Sequence, residues 1–359
     1  MKTLAIIAEY NPMHLGHIYQ LNKAKELVKP DKTILLMSGN FTQNGNISVI
    51  DKHTKAKIAI ENGFDVVIQL PVIYATSSAE FFSKNAIKIL NGLNVDYVSF
   101  GAESDFKTLS SIAHKLILNE DEIYLNIKKE PKNQTFATSR ANVLKKFLTD
   151  AESLELNKPN NILGIEYLKE IEKTGNKITP VIIKRNTDFL SATNIRNKLI
   201  KKEEIKDFVP SNTLENINNI SNENIYTLLR YKINAMDISH LKDISEITEG
   251  LENSFKKHII TATSYNEFIS YVKSKRYVES KIKRIILNIL FDIKKDEIKN
   301  VFAYILAIKD KEFLSYLNKN SNIDIIIKPN EKIHLEIKED NIYNIITSAV
   351  LNKDFTKKL

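Results

Sequence analysis

Thr3-Leu4-Ala5-Ile6-Ile7-Ala8, then Asn11-Pro12, then His14-Leu15-Gly16-His17 set an aliphatic run, a breaker and two histidines in succession. A run of this length reads as a buried strand, Asn11-Pro12 ends it, and Ile18 to Val28 reads as a helix. Two imidazoles therefore fall where a first strand turns into a first helix. Backbone N–H groups at such a helix start, with the positive end of its dipole, attract anions, and Gly16 allows close backbone approach. His17 lies three residues after His14, so both rings can share one side of the first turn. Taken alone, a histidine pair at this spacing serves equally as helix capping or surface decoration.

The next hundred residues repeat the alternation. Lys32-Thr33-Ile34-Leu35-Leu36-Met37, Asp65-Val66-Val67-Ile68-Gln69-Leu70 and Tyr97-Val98-Ser99-Phe100 read as strands, separated by helices over Lys52 to Asn62 and Ser77 to Leu93. The order βαβαβαβ predicts an α/β, Rossmann-like parallel sheet with helices on both faces, whose ligands sit beyond the carboxyl ends of the strands. Loops at Asn11 to His17, Ser38 to Gly45 and Gly101 to Asp105 fall there. A helical stretch from Ser104 to Ala151 follows, then a helix from about Ile162 to Lys173, with Asn160 or Asn161 as its cap, and a strand over Ile178 to Lys184.

Eight of the nine glycines precede residue 176. Beyond Pro210 the pattern is mainly helical, clearest over Val272 to Phe291, with a β-like piece at Ile323 to Ile337. A boundary near residue 205 divides a catalytic domain, 1–205, from a mainly helical, basic domain, 206–359.

The 359 residues, 43% of them apolar, suffice for two cores. The absence of cysteine excludes disulfides, thiolate metal sites and a cysteine nucleophile. The seven histidines lack zinc-site spacing, so no structural metal is expected. No signal-like segment opens the chain and no apolar run nears the roughly 20 residues a bilayer requires, which predicts a cytoplasmic protein without membrane contact. The net charge of +8 is compatible with a polyanionic partner such as RNA.

Ser191-Ala192-Thr193-Asn194-Ile195-Arg196 supplies a second phosphate signal: two hydroxyls and a guanidinium around a helix start. Ser and Thr before a helix are also ordinary caps. No Walker-type loop is present, and no Gly-x-Gly-x-x-Gly turn follows the first strand.

Five strings now stand in a fixed order: Ala8-Glu9-Tyr10-Asn11-Pro12-Met13-His14-Leu15-Gly16-His17, Met37-Ser38-Gly39-Asn40-Phe41-Thr42-Gln43, Phe100-Gly101-Ala102-Glu103-Ser104, Lys158-Pro159-Asn160-Asn161-Ile162-Leu163-Gly164 and Ser191 to Arg196. In these strings the chain resembles the bacterial tRNA(Met) cytidine acetate ligase family of the nucleotidyltransferase superfamily. The resemblance implies ATP-dependent acetylation of the wobble cytidine of elongator tRNA(Met), with acetate adenylated first and Mg2+ accompanying ATP. It maps the ATP contacts onto Ile7-Ala8-Glu9-Tyr10-Asn11-Pro12-Met13-His14-Leu15-Gly16-His17-Ile18-Tyr19-Gln20, Gly101, Asn160 and Arg185. On their own, Gly101 reads equally as a turn glycine, Asn160 as a cap and Arg185 as a solvated strand end. Relatives carry Gln-Arg-Gly-Glu-Pro where this chain has Gln43-Asn44-Gly45-Asn46-Ile47, so one cationic contact is missing.

Within that expectation, His14 and His17 donate to the α-phosphate and bridging oxygens, and Arg196, Thr193 and Ser191 hold the β- and γ-phosphates. The stretch Lys273 to Arg284, read as one helix, places Lys273, Arg276, Lys283 and Arg284 in one sector, an expected tRNA surface or a solvated lysine-rich face. No protein partner is inferred. Two other readings use the same motifs: an adenylyltransferase acting on a small phosphorylated metabolite, and a non-catalytic RNA-binding protein.

Overall fold

The first strand, β1 (Thr3–Ala8), lies in the interior of a seven-stranded sheet, and that position explains its unbroken apolar sequence. Its residues divide between two buried faces: Ala5 and Ile7 pack in one cluster with Phe82, Leu109 and Ile165, and Ile6 in another with Leu21 and Ala56. Around it lie β2 (Lys32–Ser38), β3 (Val66–Leu70), β4 (Tyr97–Ala102) and β5 (Thr179–Lys184), all parallel, in the order β5-β4-β1-β2-β3. The order reverses between β1 and β4, so a crevice opens at their carboxyl ends. This computed structural model describes residues 1–131, 136–218, 220–248, 250–274, 277–297 and 300–356.

The chain after residue 205 first builds a helical cluster and then returns to the sheet. Helices Asn222–Ala235, Leu251–Thr261, Tyr265–Val272 and Glu279–Phe291 bury a common core that also takes in Phe41 and Ile47 from the loop after β2. The Phe41 ring lies 5.3 Å from Phe291 and 6.3 Å from Tyr343, so this loop is wedged between the two parts of the molecule. Next, β6 (Ala303–Ile308) pairs antiparallel with β3, and β7 (Ile325–Ile326) pairs with β6.

Several expected elements need correction. The β-like piece at 323–337 shrinks to β7, because helix His334–Ile346 begins inside it. The helical stretch 104–151 divides, among the described residues, into Phe106–Leu118, Glu120–Lys129, Phe136–Leu144 and Asp150–Glu155. The single helix expected over Val272 to Phe291 is two, because the backbones of Ser274 and Tyr277 bond to each other in a turn at 3.2 Å in both directions. Among the described residues, no helix is long and apolar enough to cross a membrane.

Candidate active site

Where β1 ends, Tyr10 turns the chain with φ 48°, a left-handed conformation that costs a non-glycine residue roughly 1–2 kcal/mol. Its buried ring holds that turn in place, 4.5 Å from the ring of His17. Helix Leu15–Val28 then starts at His14 through a histidine capping box. His14 Nδ1 accepts from the Gly16 N–H at 3.1 Å, and His17 Nδ1 accepts from the His14 N–H at 3.2 Å. A neutral imidazole has one donor and one acceptor nitrogen, so both protons sit on Nε2.

The two rings stack with centroids 3.6 Å apart. Burial, then the nearby Arg185, pushes His14 down to about 4; burial, then His14 itself, holds His17 well below the ordinary histidine value. Both rings are therefore neutral at physiological pH, each with an Nε2–H to offer. A methyl group on residue 16 would come within 2.9 Å of His14 Cε1 and 3.2 Å of Phe189 Cβ, so glycine alone leaves the ring its place.

The backbone donors expected to meet an anion are already used. Leu15 N–H bonds to Phe208 O at 2.9 Å, Gly16 N–H to His14, and His17 N–H to the His14 carbonyl at 2.9 Å. What remains for a ligand is the pair of ring donors rather than the helix terminus itself.

The second motif closes on the first. Ser191 caps helix Ala192–Ile200, accepting from the Asn194 N–H at 3.2 Å. One turn on, Arg196 donates from Nη1 to the Asn11 carbonyl at 2.6 Å and from Nη2 to Thr193 Oγ1 at 3.1 Å. Residues 185 apart in sequence thus form two jaws of one cleft of about 440 Å³.

Ile7, Ala8, Glu9, Tyr10, Asn11, His14, Gly16, His17, Tyr19, Gln20, Gly101, Asn160, Arg185, Ser191, Thr193 and Arg196 all line it. Pro12, Met13, Leu15 and Ile18 do not: Met13 is in the core with Leu21, and Ile18 packs against the same cluster.

The opposite rim is organised by Glu103. Its Oε1 accepts from Asn160 Nδ2 at 2.8 Å and stands 3.8 Å from the Arg185 guanidinium, while Oε2 accepts from the Asn161 N–H at 3.1 Å. Helix Pro159–Lys173 begins earlier than the sequence implied, so neither asparagine is its cap; Asn161 instead accepts from the N–H groups of Glu103 and Ser104 at 2.9 and 3.2 Å.

Sequence reasoning also missed Phe82, Phe100, Leu163 and Tyr167, which make the apolar end of the cleft. Nothing in their local pattern separates them from core residues. Lys55 was missed as well: its ammonium is buried and donates to the carbonyls of Glu9, Ser38 and Gly39 at 3.0, 3.0 and 2.6 Å, fastening the ends of β1 and β2 together. Burial pushes it down to about 8.

The expected basic helical face is not assembled. Arg284 is buried and paired with Glu246 at 3.1 Å, Lys283 is held by Glu279 at 2.8 Å and Asn46 at 3.2 Å, and Lys273 sits in the break between helices, half exposed. Arg276 lies outside the described residues.

The chain is similar along its length to known proteins. The family model described as HIGH Nucleotidyl Transferase matches residues 1–358. The tRNA(Met) cytidine acetate ligase of Thermoanaerobacter sp. (strain X514) is 38% identical, covering 91% of this chain and 89% of its own length. That of Staphylococcus aureus (strain JH9) is 34% identical over 97% and 96%. The crystal structure of Thermotoga maritima TmcAL bound with alpha-thio ATP superposes with a TM-score of 0.91 at 33% identity, covering 99% of this chain and 98% of that one. With its histidine pair and arginine facing each other across the crevice, the chain belongs to the HIGH nucleotidyl transferase family, among the tRNA(Met) cytidine acetate ligases.

Proposed function

We propose that this chain activates acetate with ATP as acetyl-adenylate and transfers the acetyl group to the N4 amine of the wobble cytidine of elongator tRNA(Met). One observation carries the reading: two neutral Nε2–H donors and a fixed guanidinium face one cleft at the switch point of a chain similar along its whole length to ligases of that name. Carboxylate attack on the α-phosphorus spreads charge over its oxygens and the departing pyrophosphate, so catalysis consists of positioning and electrostatic stabilisation, and no protein nucleophile is required. His14 and His17 donate to the α-phosphate; Arg196, Ser191 and Thr193 hold the β- and γ-phosphates; Asn160 and Arg185 receive the nucleoside end.

Among the described residues lining the cleft, Glu9 is the single carboxylate, and it accepts from the Gln43 N–H at 2.6 Å. This is too few oxygen ligands for a resident Mg2+ site; the ion expected with ATP is held by phosphate oxygens and water.

Gly101 gives a direct check on where the nucleotide lies. A Cβ there would meet nothing nearer than Ile183 O at 3.9 Å, so its open side faces the cleft. Gly101→Val is expected to leave the melting temperature nearly unchanged and weaken binding of a non-hydrolysable ATP analogue by about tenfold or more in calorimetry. Unchanged affinity would move the nucleotide away from the end of β4.

For tRNA, we propose a contact through Lys273, half exposed just past helix Tyr265–Val272 with its ammonium 3.5 Å from Glu279 Oε2. Lys273→Glu is expected to weaken tRNA binding about threefold to tenfold and reduce the salt slope by about one. Arg284→Ala costs stability instead, because Glu246 is left without its partner. Equal tRNA affinity for the variant would remove Lys273 from the interface.

Incubation with ATP, labelled acetate and total tRNA, followed by nucleoside analysis, tests the function. Label in acetylated cytidine supports it. Adenylation of a phosphorylated metabolite without acetate, or RNA binding without pyrophosphate release, would favour the other two readings.

A further inference from the structure

Glu9 is a carboxylate in a cleft built for anions, where its charge opposes both acetate and triphosphate. Its main chain is locked by Lys55, which donates to the Glu9 carbonyl at 3.0 Å, and its Oε1 by the Gln43 N–H at 2.6 Å. Among the described residues, Oε2 has no hydrogen-bond partner. Glu9 therefore presents one fixed, open carboxylate oxygen to the cleft.

Its position relative to the loop after β2 is equally specific. Gln43 belongs to the loop that joins the cleft to the helical C-terminal part: Asn46 accepts from Lys283 Nζ at 3.2 Å, and a Cβ on Gly45 would lie 2.6 Å from Lys283 Cβ. A base presented across this loop would meet Glu9 at the cleft wall. The charged and titratable groups facing Glu9 are Lys55 and Arg196, with Tyr167 on helix Pro159–Lys173 and the two histidines on the first helix.

Resting on the ligase reading, we propose that Glu9 is the general base of acetyl transfer, taking the proton from the cytidine amine. The amine nitrogen forms a bond to the acetyl carbon of acetyl-adenylate, the bond from that carbon to the phosphate oxygen breaks, AMP leaves with the electron pair, and the amine proton passes to Glu9 Oε2 and then to water. Burial raises the Glu9 carboxyl above the ordinary glutamate value, with the Gln43 N–H, Lys55 and Arg196 opposing, which makes the ionised form a stronger base.

The test separates the two half-reactions in the full chain: acetate-dependent exchange of pyrophosphate into ATP, and single-turnover transfer from preformed acetyl-adenylate to tRNA(Met). In Glu9→Gln, whose amide oxygen still accepts from Gln43, the ratio of transfer to exchange is expected to fall about 100-fold, and the transfer rate to lose its acidic limb. Glu9→Asp should recover part of the ratio. Equal loss in both half-reactions, an unchanged ratio, or a shifted Mg2+ requirement for exchange would overturn the assignment. Absence of both half-reactions from the unaltered chain would overturn the ligase reading and this assignment with it.

Discussion

His17→Ala is expected to lower the rate of acetyl-adenylate formation about 10²- to 10³-fold while changing ATP affinity by less than about tenfold. The ring sits under Tyr10 and against His14 with its proton confined to Nε2, so the donor is aimed before the reaction begins. A prepositioned donor of this kind strengthens as charge develops, and its loss costs about 3–4 kcal/mol in the transition state. Because burial keeps both rings neutral, the adenylation rate should show no histidine limb around pH 6.5, where a free imidazole titrates. The variant also loses half of the capping box, worth about 1 kcal/mol of stability, which thermal unfolding measures separately. Pre-steady-state pyrophosphate release beside equilibrium ATP binding decides the matter. Equal losses in rate and affinity would contradict a transition-state role.

Lys52→Met is expected to destabilise the protein by about 3–5 kcal/mol, though Lys52 touches no substrate. Its fully buried ammonium donates to Glu336 O at 2.9 Å and Asp354 Oδ2 at 3.0 Å, with Glu339 Oε2 at 3.5 Å. Burial disfavours the charge, yet Glu339, Asp354 and Asp340 outweigh it and raise the ammonium above the ordinary lysine value. His53, Asp340 and Asp354 gather donor atoms within 4.8 Å of one another, a grouping this ammonium already neutralises.

Removing the lysine strands these carboxylates in the interior. Burial already pushes Glu336 up to about 7 and raises Glu339. Protonation relieves unpaired buried charge, so the deficit of the variant should be larger at pH 8 than at pH 5. Urea unfolding at the two pH values measures this; a loss under about 1 kcal/mol, or a deficit that grows in acid, would contradict stranded carboxylates as the cause. Lys55 lies one turn further along the same helix, so displacement of Lys52 also reaches the support of Glu9.

The parallel half of the sheet and the two jaws were legible in the sequence because their signals are local. An aliphatic run of six, a breaker, and a glycine beside two histidines each act over a few residues. The place of Arg196 at the cleft was readable for the same reason, although its bond to Asn11 was not.

What escaped the sequence depends on partners far along the chain. The buried roles of Lys52 and Lys55 have no local signal, and the acids around Lys52 arrive some 280 to 300 residues later. Ala303–Ile308 is an ordinary apolar run whose antiparallel place beside β3 no periodicity encodes. Arg284 was assigned to a solvent face because Glu246, its partner, stands 38 residues upstream. Nothing local in the stretch from Val272 to Phe291 marks the Ser274–Tyr277 turn that breaks the expected helix before Glu279.

The central claim is that the cleft holds a triphosphate for in-line attack by a carboxylate oxygen. Acetate labelled with heavy oxygen in both positions tests it most directly, with the AMP released during tRNA acetylation examined by mass spectrometry. The account predicts one heavy oxygen in each AMP, carried over from the broken acetyl–phosphate bond. Unlabelled AMP, or ADP and phosphate as the nucleotide products, would contradict it.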